Sequence, residues 1–524
     1  MDRIKSMTIN GFKKFKQFQM EFNENLNIIV GENEAGKSTI LEAIKLVLNQ
    51  QYRTSDKSIL AELFNRENID IFIKNPSIKT LPSIQINIQL ELDPKHKNSE
   101  FFYGQLDEKT EGFGVIFECS FDEELGYGLD GEIKKGKIPY EYYSLSWKTY
   151  AGHSYQTIRR PFGFLFIDTS NSDTNSSFNY YNKTLFVNSF DDSVKAAIKN
   201  KFRDKLISSF TELDLPPINE NRKFGIDSKK VILENILSVF EDDIPLENKG
   251  SGMESLIKTQ IALDKNSTHL DVILMEEPEN HLSFQNLLKM LETIEKQQEK
   301  SQIIIATHSN MIASRLNLRN VIWIENGYAK SLSQVDEQVA TFFTKADNNS
   351  FLQLLLSKKA VLVEGATEYL LLPYLYKKEY GKTMEEMGIT VISCNGISYK
   401  NYLSIIDETN KKIAVITDND HKQEKIDLAE KYNKEHMSKQ IFMGKDTEQE
   451  WTWEASIYLK NQKVLDECIK VRKNSKYLYY GIDYGQVLGK MLNNKVEIAY
   501  QMITNDKTYV MPDYVKDAFE WINK

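Results

Sequence analysis

The chain has 524 residues, of which 41% are hydrophobic and 27% are charged, and its formal net charge is −9. This length predicts roughly two to four domains, and the composition is that of an ordinary globular chain. The acidic balance excludes a basic coat over the whole surface, so nucleic acid must be bound through local patches or a metal ion. The chain has three cysteines and no C-x-x-C spacing, which excludes a disulfide framework and a zinc ribbon.

The start of the chain does not have the pattern of a signal peptide, and no apolar run approaches the length of a membrane span. We therefore expect a cytoplasmic protein with no membrane partner.

A glycine-rich stretch near the start fits G-x-x-x-x-G-K-[ST] without a gap. An apolar strand pattern over 26–30 precedes it, and an apolar helical pattern over 40–48 follows it. In such a loop the backbone N–H groups and the helix N terminus bind phosphate, the lysine reaches the terminal phosphates, and the hydroxyl binds Mg²⁺. The sequence predicts ATP binding, with contacts from Gly31, Asn33, Gly36, Lys37, Ser38 and Thr39.

Alternating apolar residues follow over 84–92 and 115–121, and this period of two predicts half-buried antiparallel strands. Residues 162–168 are predicted to form a buried strand. The Asn- and Ser-rich stretch 170–183 is predicted to be a polar loop.

A helical insert is predicted next. An apolar residue recurs every four positions, at Val194, Ile198, Phe202, Leu206 and Phe210, and a second apolar helix is predicted over 231–240. This stripe either covers the ATPase core or forms a dimerisation surface, and its pattern favours neither. Sustained heptads of the kind that form a coiled-coil arm are absent from the sequence.

Three further segments complete the ATPase pattern. Lys249-Gly-Ser-Gly opens an amphipathic helix; an apolar strand over 272–275 ends in Glu276 and Glu277; and another over 303–306 leads to Thr307-His308-Ser309. Paired acids after a buried strand predict a Mg²⁺ ligand, Glu276, and a base that polarises the attacking water, Glu277. His308 is predicted to contact the γ-phosphate.

The order of these segments resembles that of ABC-type ATPases of the SMC and RecF kind. The resemblance implies that two subunits enclose two ATP molecules between them. It also implies that Ser251 and Gly252 of one chain complete the nucleotide site of the other.

The pattern then changes to alternating strands and helices, typical of a parallel α/β domain. Strands are predicted over 360–363, 389–394 and 413–417. The first and third of them lead to carboxylates, and the acids concerned are Glu364, Glu368, Asp418 and Asp420. Parallel strands end at one edge of a sheet, so we expect these side chains to converge. Converging carboxylates repel one another unless a cation neutralises them, and oxygen ligands favour Mg²⁺ or Mn²⁺.

A glutamate after the first strand and Asp-x-Asp after the third resemble the TOPRIM domain of topoisomerases, primases and nucleases. An ABC-type ATPase followed by TOPRIM resembles the overcoming-lysogenisation-defect (OLD) family of endonucleases, which includes the nuclease subunit of the Gabija anti-phage system. By resemblance, Glu454 in the Glu-Trp-Thr-Trp-Glu run is a further metal ligand and Lys495 is the catalytic lysine.

The predicted fold class is α/β: an ABC/SMC-type P-loop ATPase domain with a helical insert, followed by a TOPRIM domain. The predicted parts are 1–183 and 246–330 for the ATPase, 184–245 for the insert, 331–357 for a linker, and 358–524 for TOPRIM with a helical extension.

The leading hypothesis is an ATP-regulated, metal-dependent DNA endonuclease in phage defence, acting as a homodimer or tetramer, alone or with a helicase-type partner. The alternative is a RecF- or SMC-like DNA-repair scaffold with a non-catalytic TOPRIM domain. A topoisomerase usually requires a longer chain with a tyrosine nucleophile domain, and a primase usually carries a zinc module, for which the cysteines are too few.

Overall fold

The computed structural model describes residues 2–50, 56–95, 98–106, 110–156, 158, 160, 162–168, 174–213, 215–216, 218–219, 222, 224–227, 230–264, 270–345, 350–396, 398–406, 411–472, 476–505 and 507–524. Two compact units divide the chain, a first unit over Met1–Gln334 and a second unit over Val335–Lys524. None of the helices in the described stretches has both the length and the apolarity required to cross a membrane.

The first unit contains two large sheets and the helices packed on them. Its strands are β1 (Arg3–Phe12), β2 (Phe15–Glu21), β3 (Leu26–Gly31), β4 (Ile84–Glu91), β5 (Tyr103–Gln105), β6 (Glu111–Phe121), β7 (Tyr143–Thr149), β8 (Phe164–Asp168), β9 (Phe240–Glu241), β10 (Ile244–Pro245), β11 (Val272–Glu276), β12 (Gln302–Ala306), β13 (Val321–Glu325) and β14 (Tyr328–Ser331). Its α-helices are α1 (Lys37–Leu48), α2 (Leu60–Leu63), α3 (Arg66–Lys74), α4 (Asp130–Ile133), α5 (Thr174–Ser189), α6 (Asp192–Glu212), α7 (Ser251–Leu263), α8 (Phe284–Gln297) and α9 (Asn310–Arg315).

One sheet has the order β14-β13-β3-β12-β11-β8. Strand β14 is antiparallel to β13, and the other adjacent pairs are parallel. The other sheet is antiparallel, with the order β2-β1-β4-β6-β5 and β7 paired to β6. The alternating apolar residues of β4 and β6 face the core, as predicted.

Helix α1 lies between the two sheets and packs against strands of both. Its apolar residues are buried on nearly every side, which is why the helix is apolar around its circumference. Two contacts fix it: the Trp147 indole N–H of β7 donates to the Leu46 carbonyl at 2.9 Å, and the Tyr155 hydroxyl donates to the Leu48 carbonyl at 3.1 Å. The loop that precedes α1 is thereby held at the carboxyl end of β3, within the parallel sheet.

A buried glutamine joins the two sheets. The Gln302 amide, at the start of β12, donates to the Ile4 carbonyl and accepts from the Ile4 N–H, both at 2.8 Å. The same amide donates to the Asn23 carbonyl at 3.0 Å. Because its side chain is 0% exposed, these bonds satisfy polar groups that have no access to water.

Two local predictions are wrong. Residues 174–183 belong to helix α5, in which Tyr181, Leu185 and Phe186 are buried and the helix packs on β8. The high Asn and Ser content concealed this apolar face, and the remainder of the predicted loop, 170–173, lies outside the described residues. The predicted helix over 231–240 contains only a short 3-10 turn, Leu233–Asn235.

The chain after that turn forms a hairpin of β9 and β10 instead of a helix. Asp242 and Asp243 form its turn with φ of 51° and 61°. Positive φ at both central residues is the geometry of a tight hairpin turn, for which aspartate is well suited. Of the apolar residues in the predicted helix, Ile236 and Phe240 are exposed, whereas Leu233 is buried.

The second unit is a parallel sheet covered by helices. Its strands are β15 (Lys359–Val363), β16 (Ile389–Ser393), β17 (Lys412–Ile416), β18 (Lys439–Phe442), β19 (Leu478–Tyr479) and β20 (Ile482–Asp483). Its helices are α10 (Glu337–Lys345), α11 (Ser350–Leu356), α12 (Ala366–Tyr380), α13 (Tyr399–Ile405), α14 (Gln423–Glu435), α15 (Trp453–Cys468), α16 (Gln486–Asn493), α17 (Lys495–Thr504) and α18 (Asp513–Asn523). The stretch 331–357, expected to be a linker, therefore contains α10 and α11.

The sheet order is β16-β15-β17-β18, and every pair is parallel. The chain leaves β15 for β16 on one side and leaves β17 for β18 on the other. The carboxyl ends of β15 and β17 therefore form a topological switch point, the position at which open α/β sheets bind ligands. Val361 and Ile416 pack into a core with α12 and α15–α18, so their alternating neighbours face the opposite side, towards α13 and α14.

Candidate functional site

The glycine-rich loop connects β3 to α1, as predicted. Gly36 has φ of 107°, and a β-carbon there would lie 2.4 Å from the Phe15 ring, so both the backbone conformation and the contact require glycine. The Lys37 ammonium folds back over the loop and donates to the carbonyls of Gly31 at 3.0 Å and Glu32 at 3.2 Å. Asn33 and Ser38 are exposed and Thr39 is half-buried.

The acids after β11 and the histidine after β12 lie beside this lysine. His308 Nδ1 is 3.4 Å from Lys37 Nζ, and the His308 N–H donates to the Glu277 carboxylate at 3.2 Å. Burial lowers the pKa of Lys37, while Glu277 and Glu276 oppose that shift. Burial and the neighbouring Lys37 cation lower the pKa of His308, which favours the neutral imidazole. The parallel register of β3, β12 and β11 brings these side chains together.

Glu279 was not assigned a role from the sequence, although it belongs to the same acidic run. Its carboxyl accepts from the Thr307 hydroxyl, and its other oxygen is buried with no hydrogen-bond partner among the residues that the structure describes. Burial is the largest cause that raises the pKa of Glu279 to about 7, and the neighbouring Glu277 adds to it. The Thr307 hydroxyl also accepts from the Ser309 N–H at 2.8 Å, which shapes the turn that presents His308.

Ser251 is exposed at the N terminus of α7. A β-carbon at Gly252 would lie 2.3 Å from the His281 carbonyl, so this position admits no side chain. Gly252 is thus packed directly on the turn after the paired acids of its own chain.

In the second unit the sheet edge gathers the predicted acids. Glu364 follows β15 and accepts from the Thr417 hydroxyl and from the Asp418 N–H at 3.1 Å. The Asp418 carboxylate accepts from the Trp453 N–H, at the start of α15, at 2.9 Å. Burial raises the pKa of Asp418 well above its usual value, and the Glu364, Glu368 and Glu454 carboxylates add to that rise.

Glu368 lies in the first turn of α12 and is buried. Burial raises its pKa to about 7, with smaller contributions from Glu454 and Glu364. Lys495, the first residue of α17, donates to Glu454 at 2.9 Å, and that carboxylate is buried. The acid of the Glu-Trp-Thr-Trp-Glu run that joins the cluster is Glu454, since Glu450 instead accepts from backbone N–H groups of 445 and 446.

Asp420 is bound by a lysine that also contacts the Asp418 backbone. Its carboxylate pairs with Lys425 at 2.5 Å, and the same ammonium donates to the Asp418 carbonyl at 3.2 Å. Between the two aspartates, the fully buried Asn419 side chain donates to the Gly444 and Glu450 carbonyls, which fixes the loop. Neither Lys425 nor Asn419 was predicted from the sequence; the spacing of a lysine five residues after Asp-x-Asp is too common a pattern to indicate the contact.

The donor set fits a hard divalent cation, because it offers carboxylate oxygens. The pKa values of Asp418 and Glu368 are raised by burial and, to a smaller extent, by the neighbouring carboxylates, whose repulsion a cation would relieve. Within the described residues, however, no three acidic, histidine or cysteine side chains are arranged to hold an ion. Thr417, Lys425 and Lys495 occupy several of the oxygens instead.

Family models match two parts of the chain. Residues 3–212 match an AAA ATPase domain, and residues 355–420 match the TOPRIM domain of proteins like the overcoming-lysogenization-defect protein. The chain has the ATPase-plus-TOPRIM architecture of the OLD family. The match to the OLD-like TOPRIM domain includes the four acids from Glu364 to Asp420, and this architecture supports an ATP-dependent, nuclease-type function.

Curated relatives match shorter segments of this OLD-type chain. The DNA replication and repair protein RecF of Clostridium kluyveri is 34% identical over 122 residues, which are 23% of this chain and 32% of that protein. RecF of Streptococcus agalactiae serotype Ia is 35% identical over 89 residues, 17% of this chain and 23% of that protein. The match thus spans about a third or less of the length of these relatives.

Solved structures that resemble the chain include an SMC head bound to the C-terminal winged-helix domain of ScpA, with 15% identity and a TM-score of 0.34 over 62% of this chain and 96% of that one. RecF with ATP, described as a recombination mediator of the RecFOR pathway, has 13% identity and a TM-score of 0.32 over 63% of this chain and 97% of that one.

Proposed function

We propose that this OLD-type chain is a DNA endonuclease that depends on Mg²⁺ or Mn²⁺, is regulated by ATP, and acts in anti-phage defence. The observation that carries the proposal is a cluster of side chains at the carboxyl edge of the parallel sheet of the second unit. The cluster consists of Glu364, Glu368, Asp418, Glu454 and Lys495. Burial and the neighbouring carboxylates raise the pKa values of Asp418 and Glu368, and such perturbed acids are concentrated at functional sites.

When bound, divalent metal supplies the Lewis acid and the activated water that cleave a phosphodiester. Glu364, Glu368, Asp418, Asp420 and Glu454 are the residues that would hold it. The chain itself holds the Asp418 carboxylate in place through the Trp453 N–H, and it keeps Lys495 beside the acids, where its ammonium stabilises charge on the phosphate.

In the first unit, Lys37 and the backbone of the glycine-rich loop would bind the phosphates of ATP, and Ser38 and Glu276 would hold Mg²⁺. Glu277 would polarise the attacking water, with His308 beside it. The exposed Ser251 suits a site completed by a second copy, so we infer that the nucleotide is bound in a dimer.

Nicking of supercoiled plasmid DNA with Mn²⁺ tests the proposal. The parent chain should cut, whereas Asp418→Ala and Lys495→Ala should each lose at least about a hundredfold in rate, a typical loss when a group that stabilises transition-state charge is removed. Asp517→Asn, an exposed acid of α18 in the same unit, is the matched control and should cut normally. Equal cutting by Asp418→Ala would favour the repair-scaffold alternative.

A further inference from the structure

The second unit contains a cavity of about 720 Å³ beside the acidic cluster. Its floor is a row across the sheet, because Leu362, Val415 and Ile441 are register partners on adjacent strands. Helices α13 and α14 form its walls, so the cavity lies on the face opposite α12 and α18.

The cavity begins at the catalytic edge. Glu364, Thr417 and Lys425 line it there, and Lys425 is the residue that binds Asp420. It then follows α14 as far as His436, a length of roughly 16 Å at the rise of an α-helix.

Aromatic rings line the walls. Tyr432 and His436 stack with ring centroids 3.9 Å apart and planes 11° apart, and Tyr399 stands on α13. Such faces accept a further flat ring by stacking, which is how proteins bind nucleobases without reading their sequence.

The charge of the lining favours an anion at the rim. Lys400 contributes a positive charge there, while the charge of Lys425 is shared with its ion-pair partner Asp420. The acid of the lining, Glu364, already accepts from the Thr417 hydroxyl and the Asp418 N–H, so it is engaged within the cluster. The cavity volume lies in the range of small-molecule sites, about 300–1,000 Å³.

We propose that this cavity binds a nucleotide, with its base against the Tyr432 and His436 rings and its phosphate towards Lys400 and Lys425. Two sources share this chemistry. A free nucleotide would make the cavity a second nucleotide site, separate from the glycine-rich loop. A nucleotide of the DNA strand at the cluster would make it a substrate subsite, and this second source rests on the proposed nuclease function.

The first arm of the test titrates adenosine monophosphate into the full chain by calorimetry. Every protein in this arm carries Lys37→Ala, so that the glycine-rich loop does not contribute to binding. Tyr432→Ala and Lys400→Glu should each weaken binding about fivefold or more, given the usual contribution of base stacking. Lys434→Glu, an exposed lysine of the same helix outside the cavity lining, should leave binding unchanged. Leu428→Trp is a second blocking variant that should fold normally, because Leu428 is 62% exposed at the rim. The larger side chain obstructs the mouth of the cavity without entering the core.

The second arm uses single-stranded DNA that carries 5-iododeoxyuridine, crosslinked by ultraviolet light to the Asp418→Asn chain. Crosslinks to Tyr399, Tyr432 or His436 that Leu428→Trp removes indicate a nucleotide of the strand. Binding of adenosine monophosphate with the predicted variant pattern indicates a free nucleotide, and either result supports the proposal.

If the cavity variants and Lys434→Glu bind adenosine monophosphate alike, or not at all, and no crosslink maps to the cavity, the proposal is overturned. If the chain binds the nucleotide in the cavity but cuts no DNA, the cavity proposal stands and the nuclease proposal fails. The failures of the two proposals are therefore distinguishable.

Discussion

Three side chains from separate motifs lie side by side at the candidate nucleotide site of the first unit. Lys37 Nζ lies 3.4 Å from His308 Nδ1, and the His308 N–H donates to the Glu277 carboxylate. The partners that position them, such as Thr307, depend on which strand lies beside which. That order is set by tertiary packing, which no local pattern reports.

Glu277→Gln tests the assignment of the water-polarising base. The variant retains size and hydrogen-bonding capacity but cannot accept a proton, so we expect ATP to bind normally and hydrolysis to slow by about a hundredfold or more. Lys37→Ala should instead abolish binding, because it removes the cation of the phosphate loop. Equilibrium binding and phosphate release, measured on both variants, separate the two effects, and hydrolysis at the parent rate in Glu277→Gln would contradict the assignment.

Glu368 predicts how stability depends on pH. Its folded pKa of about 7 lies above the ordinary value of 4.5, so the stability associated with its protonated form is complete below about pH 4.5 and is lost as pH rises through about 7. A shift of this size corresponds to about 3 kcal/mol. Glu368→Gln should therefore lose less unfolding free energy between pH 5 and pH 9 than the parent, measured in urea with EDTA.

A control variant makes that measurement specific to Glu368. Glu279 in the first unit also has a pKa raised to about 7, so the parent alone does not isolate Glu368. Glu62→Gln, an exposed carboxyl, serves as the control and should follow the parent. The same pH dependence in Glu368→Gln and the parent would show that the buried carboxyl is not the origin.

Among the elements, α6 was predicted from its four-residue apolar spacing, and the helix is present over Asp192–Glu212. All of its side chains are described, and Lys195 alone is buried. The stripe residues from Ile198 to Phe210 are half-buried and Val194 is exposed. The core interpretation of this stripe is therefore the weaker one, and a surface for a second copy becomes our proposal.

Phe202→Asp tests that proposal. A charge in the stripe should lower the mass measured by light scattering while circular dichroism remains that of the parent, because little of this face packs within its own chain. Ser209→Asp places the same charge at an exposed position of the helix outside the stripe and should leave the mass unchanged. Unfolding of Phe202→Asp would indicate that the residue belongs to the core.

The buried parallel strands were predicted correctly, whereas helix α5 and the hairpin of β9 and β10 were not. The strands β8, β11, β12, β15 and β17 were recognised because a buried parallel strand is a continuous apolar run. Helix α5 was missed because its polar N-terminal half outweighs the buried residues of its second half. The hairpin of β9 and β10 was missed because Asp242 and Asp243 were not recognised as turn residues.

At the scale of the whole molecule, the two predicted active sites belong to different compact units, with the division after Gln334. The sequence placed this change of architecture nearby, where the strand–helix alternation begins. It did not show α10 and α11 in the connecting stretch, because these helices are only nine and seven residues long and their apolar pattern is correspondingly short.

This division predicts that the two activities separate by mutation. Asp418→Ala should leave ATP hydrolysis within about twofold of the parent while it removes DNA cleavage, because the cluster it disrupts lies wholly in the second unit. Hydrolysis of ATP, measured with and without DNA, checks the prediction. A tenfold fall in basal hydrolysis would mean that the two sites are energetically coupled.

Two tryptophans are bonded to the loop of Asp418 and Asp420, so the acidic cluster of the second unit has fluorescent residues beside it. Trp453 donates its N–H to the Asp418 carboxylate, while the Trp451 carbonyl accepts from the Asp420 N–H at 3.1 Å and its indole stacks on His421 with centroids 4.3 Å apart. Any rearrangement of the two aspartates must move the main chain that carries both indoles. Intrinsic tryptophan fluorescence should thus report occupancy of the acidic cluster directly, without a label and without turnover.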